Sequence, residues 1–111
     1  MPIPGAVRAI IPPEKLRDYV LCPTHPVGRL KAAFFGRLGY SRDNWQQLEE
    51  DLRTKHLCLD AESSELSAFG VKYRIVGPIG RPGRREAEVM SVWIVLTGES
   101  VPRLVTLFPH R

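Results

Sequence analysis

The sequence contains no long apolar run. Its longest uncharged stretch near the start, from Val20 to Gly28, is interrupted by two prolines and a histidine, whereas a membrane-spanning helix needs about 20 apolar residues. The segment from Met1 to Gly5 lacks the charged-then-apolar layout of a signal peptide. We therefore expect a small, unprocessed cytoplasmic domain with no membrane partner.

The sequence is also poor in cysteine and in ligand motifs. Cys22 and Cys58 are the two cysteines of the chain. One disulfide bridge between them is possible, but two isolated cysteines are more typical of free buried thiols in a reducing cytoplasm. There is no Cys-x-x-Cys, no His-x-x-x-His and no paired-carboxylate loop, so we predict no metal site. The glycines from Gly77 to Gly83 are typical of a hairpin loop rather than of a phosphate-cradling helix, so we predict no cofactor.

The chain has 111 residues, which is long enough for one domain. Positive and negative charges are segregated along it. Cations outnumber acids seven to two in residues 1–42, acids outnumber cations seven to two in 43–65, and cations outnumber acids seven to three in 66–111. Two basic blocks that meet in the fold would form a face suited to a polyanion. A general solubilising excess of charge explains the same composition equally well.

The first half of the chain is predicted to be helical. Residues 1–11 form an arm or an edge strand, and the helical part covers residues 12–55. The predicted helices begin at Pro12, run from Pro26 to Leu38 with Thr24 as cap, and run from Asn44 to Lys55.

The middle helix should bury one apolar face. That face consists of Val27, Leu30, Phe34 and Leu38, with Lys31 and Phe35 at its border.

The second half is predicted to form a sheet. After a polar connection at 56–68, apolar and charged residues alternate around Tyr73, as in a half-buried strand. A basic hairpin loop leads to a long strand ending at Leu96, and a last strand covers Pro102 to Phe108. Two to three helices followed by a three- to four-stranded antiparallel sheet over 70–109 indicate an α+β domain.

The first candidate site lies around His25, at the start of the middle helix. A helix N-terminus favours a phosphate, and histidine titrates near neutrality. Gly28, Arg29 and Lys31 follow within two turns and add two cations. A purely structural role for His25, as a cap or in packing, explains the same segment.

The other candidates lie on the strands. Tyr73 between Lys72 and Arg74, together with Arg81, Arg84 and Arg85 around the hairpin, could hold an RNA backbone and stack a base. Charges that protect an edge strand are the alternative interpretation.

On the last two strands, Trp93 is interpreted as a core residue, because it lies in an apolar run. Arg103 and Thr106 fall on opposite faces of a regular strand, so they share a site only if a bulge intervenes. Thr106 is placed on the same face as Leu104 and Phe108, where its hydroxyl needs a partner.

Several segments resemble, in the same order, a bacterial family of uncharacterised small domains. They are Ile11 to Tyr19, His25-Pro26-Val27-Gly28, Lys31-Ala32, Leu38-Gly39, Phe69 to Tyr73, Gly77-Pro78, Ser91 to Val95 and Val101 to Thr106. Members of that family occur free-standing and as C-terminal domains of polymorphic toxins. Their toxin setting, and helices before an antiparallel sheet, resemble the barnase–EndoU–colicin–RelE class of metal-independent ribonucleases.

The resemblance implies a set of motif positions and a partner. The positions are His25, Gly28, Lys31, Tyr73, Trp93 and Thr106. The chain departs from the family at Phe69, where relatives often have tyrosine. Free-standing members are encoded beside a small β-barrel-like protein, which implies a cognate antitoxin-like partner. Without a delivery region, a cytoplasmic toxin–antitoxin role fits better than secretion.

Two functional hypotheses follow. In the first, the chain is a metal-independent endoribonuclease that acts on tRNA or mRNA by 2′-hydroxyl attack on a phosphate. His25 would move the proton, Lys31 would stabilise charge on the phosphate, and Thr106 or Tyr73 would orient the reacting group. The residues expected to bind the RNA are Arg29, Tyr73, Arg81, Arg84, Arg85 and Arg103.

In the second hypothesis, the chain is a non-catalytic module that binds RNA or a small acidic protein through the same basic face. The presence of one convincing titratable residue, with no evident second base, favours this alternative.

Overall fold

Four antiparallel strands pair in the order in which they occur along the chain. The computed structural model describes residues 1–26, 28–81, 83 and 85–110, and it describes only the backbone of residues 64 and 65. The strands are β1 (Glu62–Ser67), β2 (Gly70–Ile79), β3 (Ala87–Leu96) and β4 (Arg103–Pro109). Helices precede the sheet, so the predicted α+β class is confirmed.

Three helical segments lie before the sheet. Helix α1 has an α-helical turn at Pro13–Lys15 and a π-helical turn at Leu16–Val20. Helix α2 covers Arg29–Arg37. Helix α3 begins with a 3-10 turn at Arg42–Asn44, is α-helical over Trp45–Asp51 and ends with a π-helical turn at Leu52–His56.

Local chemistry explains where α1 and α3 begin. Pro13 occupies the first turn of α1, where its missing N–H group costs no helical hydrogen bond. In the first turn of α3, the side chain of Asn44 accepts a hydrogen bond from the Ser41 N–H group at 2.7 Å. Leu48 and Leu52, four residues apart on α3, then face the same way and are fully buried.

One hydrophobic core lies between the helices and one face of the sheet. Trp93 of β3 is fully buried in it, as expected for a core residue. The other buried apolar residues are Ile3, Ala9, Ile11, Leu16, Val20, Leu21, Phe35, Leu38, Tyr40, Leu48, Leu52, Leu57, Ile75, Ile79, Val89, Leu104 and Leu107.

A polar pair is buried at the edge of this core. The Tyr40 hydroxyl donates a hydrogen bond to Asp51 Oδ2 at 2.6 Å, and Asp51 Oδ1 accepts one from Gln47 Nε2 at 3.0 Å. The Lys55 ammonium lies 3.9 Å from the same carboxylate. Burial, and then the hydrogen bond to Asp51, raise the pKa of Tyr40. This pair ties Tyr40, in the segment between α2 and α3, to Asp51 of α3.

The buried face of α2 differs from the predicted one. Phe35 is 0% exposed, whereas Leu30 is 75% exposed. Lys31, Phe35 and Leu38 therefore share the inward side of α2, since they follow one another at helical spacing. Lys31 points inward because the hydroxyl groups that bind its ammonium lie on that side. Val27, part of the predicted face, lies outside the described residues.

The sheet also starts earlier than predicted. Residues 62–67 belong to the predicted polar connection, but they form β1. β1 is an edge strand, and its described side chains, those of Glu62, Ser63, Leu66 and Ser67, are exposed, so its sequence lacks the apolar alternation that marks a half-buried strand. The sheet therefore spans 62–109 rather than 70–109, and β2 continues to Ile79 where the hairpin loop was predicted.

The N-terminal arm makes one parallel bridge instead of an edge strand. Ile10 pairs with Arg103, and its N–H group donates to the Pro102 carbonyl at 2.8 Å. Residues Ala6–Arg8 form a 3-10 turn, which interrupts the extended backbone that a longer strand requires.

The length of the helices and the burial of the two cysteines bear on the expectations of no membrane span and of buried thiols. Among the described residues, no helix has both the length and the apolar character needed to cross a bilayer. Cys22 and Cys58 are free thiols; Cys58 is exposed and Cys22 is only partly buried, so the expectation of buried thiols is wrong.

Candidate functional site

The Lys31 ammonium group joins the helical part of the chain to the last strand. Its Nζ atom donates hydrogen bonds to Thr106 Oγ1 of β4 at 2.9 Å and to the Tyr19 hydroxyl of α1 at 3.0 Å. It also lies 5.8 Å from the centre of the Phe108 ring. Within the described ranges, Lys31 forms no ion pair. Hydroxyl groups therefore hold this cation without neutralising its charge.

His25 precedes α2 and contacts Tyr19. Its Nδ1 atom accepts a hydrogen bond from the Gly28 N–H group at 2.9 Å. Because Nδ1 is an acceptor, we place the proton of the neutral ring on Nε2. The rings of His25 and Tyr19 meet edge to face, with their centroids 4.9 Å apart. The predicted cap, Thr24, does not cap α2, because its hydroxyl lies 3.4 Å from Cys22 Sγ instead.

Gly28 allows α2 to begin directly against α1. A Cβ atom at this position would overlap the carbonyl oxygen of Tyr19. The backbone of Gly28 is in the right-handed helical region, so the close approach, and not the backbone conformation, requires glycine here. This contact fixes Tyr19 relative to the first turn of the helix that carries Lys31.

An open pocket of about 390 Å³ lies beside this cluster. Its lining residues are Glu14, Lys15, Tyr19, Val105 and Thr106. The Lys15 ammonium donates a hydrogen bond to the Val105 carbonyl at 3.0 Å, which ties α1 to β4. The pocket therefore combines a carboxylate with two hydroxyl groups, and cations border it. Such a set can bind a phosphate and move a proton.

A β-bulge at Val105 sets the direction of Thr106. In the register of β3 and β4, Trp93 pairs with Leu104 and Val92 pairs with Thr106, so Val105 is an extra residue. Leu104 consequently shares the core face with Trp93, while Thr106 lies on the opposite face. The placement of Thr106 on the face of Leu104 is therefore wrong.

The same bulge brings Thr106 and Arg103 to one face, the arrangement that a regular strand forbids. Arg103 pairs with Ile94, two residues from the partner of Thr106 on β3. The Arg103 guanidinium is not directed at Lys31, however. It donates hydrogen bonds to both carboxylate oxygens of Glu99, at 3.1 and 3.2 Å.

The other predicted RNA-binding residues that the structure describes lie outside the pocket lining. Arg81 donates a hydrogen bond to the Gly39 carbonyl at 3.3 Å. Tyr73 is partly buried on β2, directly opposite Trp93, and packs against the core. Arg29 and Arg85 are exposed, and Arg84 lies outside the described residues. The structure thus joins His25 and Thr106 through Tyr19 and Lys31, but it does not bring Arg29, Arg81, Arg85 or Arg103 into the pocket lining.

Trp93 takes part in a buried hydrogen-bond chain rather than in the pocket. Its Nε1–H group donates to Ser91 Oγ at 2.7 Å, and Ser91 Oγ lies 2.8 Å from His56 Nε2. Because the indole can only donate, the serine hydroxyl is available to donate to His56. His56 is fully buried, and its Nδ1 atom has no hydrogen-bond partner in the described part of the chain. Desolvation lowers the pKa of His56 to about 4.

The sequence matches a known protein family over nearly all of its length. A family model described as a domain of unknown function (DUF6883) matches residues 3–111. The chain belongs to the DUF6883 family. The predicted membership of a family of uncharacterised domains is thereby confirmed. No curated protein and no solved structure matches the chain.

Three polar residues of the pocket lining, Glu14, Lys15 and Tyr19, are not among the site residues predicted from the sequence. A tyrosine on a short amphipathic helix is typical of core packing, and adjacent opposite charges are typical of a solvated surface. Spacing offered one signal, since Lys15 and Tyr19 are four residues apart and share a helix face. Their relation to Thr106 depends on long-range packing, which local spacing does not encode.

Proposed function

We propose that the chain is a metal-independent endoribonuclease, the toxin of a bacterial two-gene module, that cleaves RNA by 2′-hydroxyl attack on the adjacent phosphate. One observation supports this most directly. The partly buried Lys31 ammonium is held by the hydroxyls of Thr106 and Tyr19 beside an open pocket, with no carboxylate partner among the described residues. Such a cation attracts an anion, and the phosphodiester is the anion that RNA presents.

Phosphate binding in this pocket would use the two lysines. Hydrogen bonds to Tyr19 and Thr106 occupy two of the three N–H groups of Lys31, and the bond to Val105 occupies one of those of Lys15. The remaining N–H groups can donate to the non-bridging oxygens. Because charge grows on these oxygens as the phosphate becomes pentacoordinate, fixed ammonium groups stabilise the transition state more than the ground state.

Proton transfer in the proposed reaction would use groups that line the pocket. The Glu14 carboxylate takes the proton from the 2′-hydroxyl as the bond from O2′ to phosphorus forms. The bond from phosphorus to O5′ breaks, and the Tyr19 hydroxyl gives its proton to the leaving oxygen. The Lys31 ammonium beside the Tyr19 oxygen stabilises the negative charge that remains. Atoms and charge then balance, and the product ends in a 2′,3′-cyclic phosphate.

His25 has a positioning role in this scheme. It contacts the ring of Tyr19 and accepts a hydrogen bond from Gly28, but it is not among the residues that line the pocket. The sequence-based hypothesis gave proton transfer to His25. The geometry favours Glu14 and Tyr19 for that step, with His25 orienting the tyrosine.

Cleavage of a defined RNA in the presence of EDTA tests the proposal. We expect cleavage without divalent metal, 2′,3′-cyclic phosphate ends, and no cleavage of a substrate that lacks the 2′-hydroxyl at the cleaved position. Lys31→Met should lower the rate by about 100-fold or more. Arg8→Met, which removes an exposed cation of the N-terminal arm away from the pocket lining, is the control and should cleave normally. Equal rates for Lys31→Met and wild type would contradict the proposal.

A non-catalytic RNA-binding module is the second candidate, and one observation favours it. Arg29 and Arg85 are exposed and lie outside the lining of the pocket, as expected for residues that hold RNA without taking part in chemistry. Binding that depends on Lys31 and weakens with salt, without any cleavage, would select this module. Expression of the chain in bacteria separates the candidates further, because a toxin slows growth and the product of the neighbouring gene restores it.

A further inference from the structure

A groove of about 650 Å³ lies along the outward side of α2, on the far side from Lys31. Leu21 and Tyr40 are buried at its base. Its lining is mainly apolar and consists of Leu21, Pro23, Arg29, Leu30, Ala32, Ala33, Gly36, Tyr40, Ser41, Arg42 and Asp43. The groove shares no lining residue with the pocket assigned to RNA cleavage.

Leu30 is the exposed apolar residue of this surface. It is 75% exposed, although Phe35 on the same helix is completely buried. Leu30 and Ala33 also border a second depression on the other side of the α2 ridge, and its lining includes Phe34 and Lys31. An apolar ridge between two depressions is a surface whose burial by a partner would be favourable.

The rim of this surface is positively charged. Arg29 and Arg42 line the groove, and Arg37 and Arg85 line a neighbouring depression. In the described ranges, Arg29, Arg37 and Arg85 make no ion pair, while Arg42 pairs with an aspartate of α1. The groove itself contributes one acid, Asp43. The cations thus outnumber the acids around an apolar floor.

We infer that this groove docks an acidic amphipathic helix of a partner protein. The apolar stripe of that helix would cover Leu30 and the floor of the groove, and carboxylates along its flanks would pair with Arg29 and Arg37. A helix can pack closely here because the side chains of α2 along the groove include alanines and a glycine. At Gly36 an added Cβ would meet no atom within 4 Å, so a second helix can approach the backbone closely.

Two other occupants suit the surface less well. RNA recognition uses exposed aromatic rings for base stacking, but Tyr40 is buried and the rest of the lining contains no aromatic residue. A second copy of this chain, paired by a two-fold axis through the groove, would bring the same arginines face to face. An acidic helix satisfies both the apolar floor and the charged rim.

Selection from a displayed library of amphipathic helical peptides tests this inference on the full chain. The library keeps a leucine- and alanine-rich stripe and varies the flanking positions among Glu, Gln and Lys. We expect Glu-rich peptides to be enriched. Their affinity should fall by at least about tenfold for Leu30→Ser, which removes the exposed anchor. Gly36→Leu should lower the affinity in the same way, because its side chain fills the groove. It should not unfold the chain, because leucine stabilises a helix such as α2 more than glycine does.

The control and the charge reversal make the result specific. Leu66→Ser replaces another exposed leucine, on β1, and should leave the affinity unchanged. The double variant Arg29→Glu/Arg37→Glu should prefer Lys-rich peptides. No enrichment, enrichment independent of flank charge, or equal binding to Leu30→Ser and Gly36→Leu would overturn the inference. Dimerisation that Leu30→Ser abolishes, or RNA that competes for the groove, would also overturn it.

This inference does not depend on the proposed ribonuclease activity. The variants Leu30→Ser and Gly36→Leu lie outside the pocket lining and should cleave RNA at the wild-type rate. Thr106→Val changes the pocket assigned to RNA cleavage and lines neither depression beside Leu30, so it should bind the selected peptides normally. Failure of one proposal is thus visible without failure of the other.

Discussion

Lys31 Nζ lies 2.9 Å from Thr106 Oγ1, and this contact joins residues that are 75 positions apart. It links the first turn of α2 to β4, and together with the hydrogen bond to the Tyr19 hydroxyl it holds the ammonium from two sides. A positive charge held in this way is fixed in position while remaining available to an anion.

Thr106→Val tests that contact with little change of shape. Valine removes the oxygen that accepts the hydrogen bond from Lys31, so we expect RNA cleavage to fall by about tenfold. Thr106→Ser keeps the oxygen and should restore most of the activity. Urea unfolding should show a loss of only about 1 kcal/mol for Thr106→Val. Equal cleavage by the valine and serine variants would mean that the hydroxyl has no role.

Gly28→Ala should separate α2 from α1. The added methyl group would overlap the Tyr19 carbonyl, a backbone atom that cannot rotate away. We expect a loss of stability of about 1–3 kcal/mol and weaker RNA binding, because Tyr19 and Lys31 move apart. Gly36→Ala on the same helix meets no neighbour and is the control, since it should stabilise the chain slightly. Thermal unfolding of the two variants measures the difference.

Tyr40→Phe should destabilise the chain by about 1–3 kcal/mol, because it leaves the buried Asp51 carboxylate without its shortest hydrogen bond. Replacing both partners, with Tyr40→Phe and Asp51→Leu, removes the unsatisfied charge. The double variant should therefore lose less stability than the sum of the two single variants. Chemical denaturation of all four proteins completes the cycle, and additive losses would show that the two groups do not interact.

Stability should fall on mild acidification because of His56. Its pKa is about 4 in the fold, against 6.5 for a histidine exposed to water in the unfolded chain. The unfolded chain therefore binds the proton first as the pH falls. The free energy of unfolding should decrease between pH 6.5 and pH 4 by up to about 3 kcal/mol and then level off for this group.

His56→Gln removes this titration and should flatten the pH dependence of stability in that range. The pKa values of Asp18 and Asp60 are lowered by their ion pairs with Arg17 and with the N-terminal amine, so their contributions are lost mainly at more acidic pH than that of His56. A wild-type slope that persists in His56→Gln would assign the effect to another group.

Much of the fold follows from local patterns, because helix starts, apolar spacing and turns act over a few residues. The α+β order, Trp93 in the core and the alternation of β2 are of this kind. The strand β1 did not follow, because an exposed edge strand buries no alternating side chains. The orientation of α2 did not follow either, because it depends on partners for Lys31 that are distant in sequence.

The candidate site was predictable in part. Lys31, Thr106 and His25 were selected from the sequence, and the structure connects them through Tyr19. Tyr19 was not selected, since nothing in its neighbourhood distinguishes it from a packing residue. Glu14 was not selected from the sequence either, because only the approach of α1 to β4 makes it part of a pocket.

The extra residue Val105 decides the side of the sheet on which Thr106 lies. In a regular strand Thr106 would share the face of Leu104, two residues away, whereas the bulge moves it to the opposite face. Deletion of Val105 would remove the bulge but would leave Leu104 and Thr106 adjacent, and adjacent residues of a regular strand also lie on opposite faces. Among related chains, a one-residue gap between these two positions is therefore compatible with a threonine hydroxyl presented to Lys31, whereas straightening of the strand with all its residues kept is not.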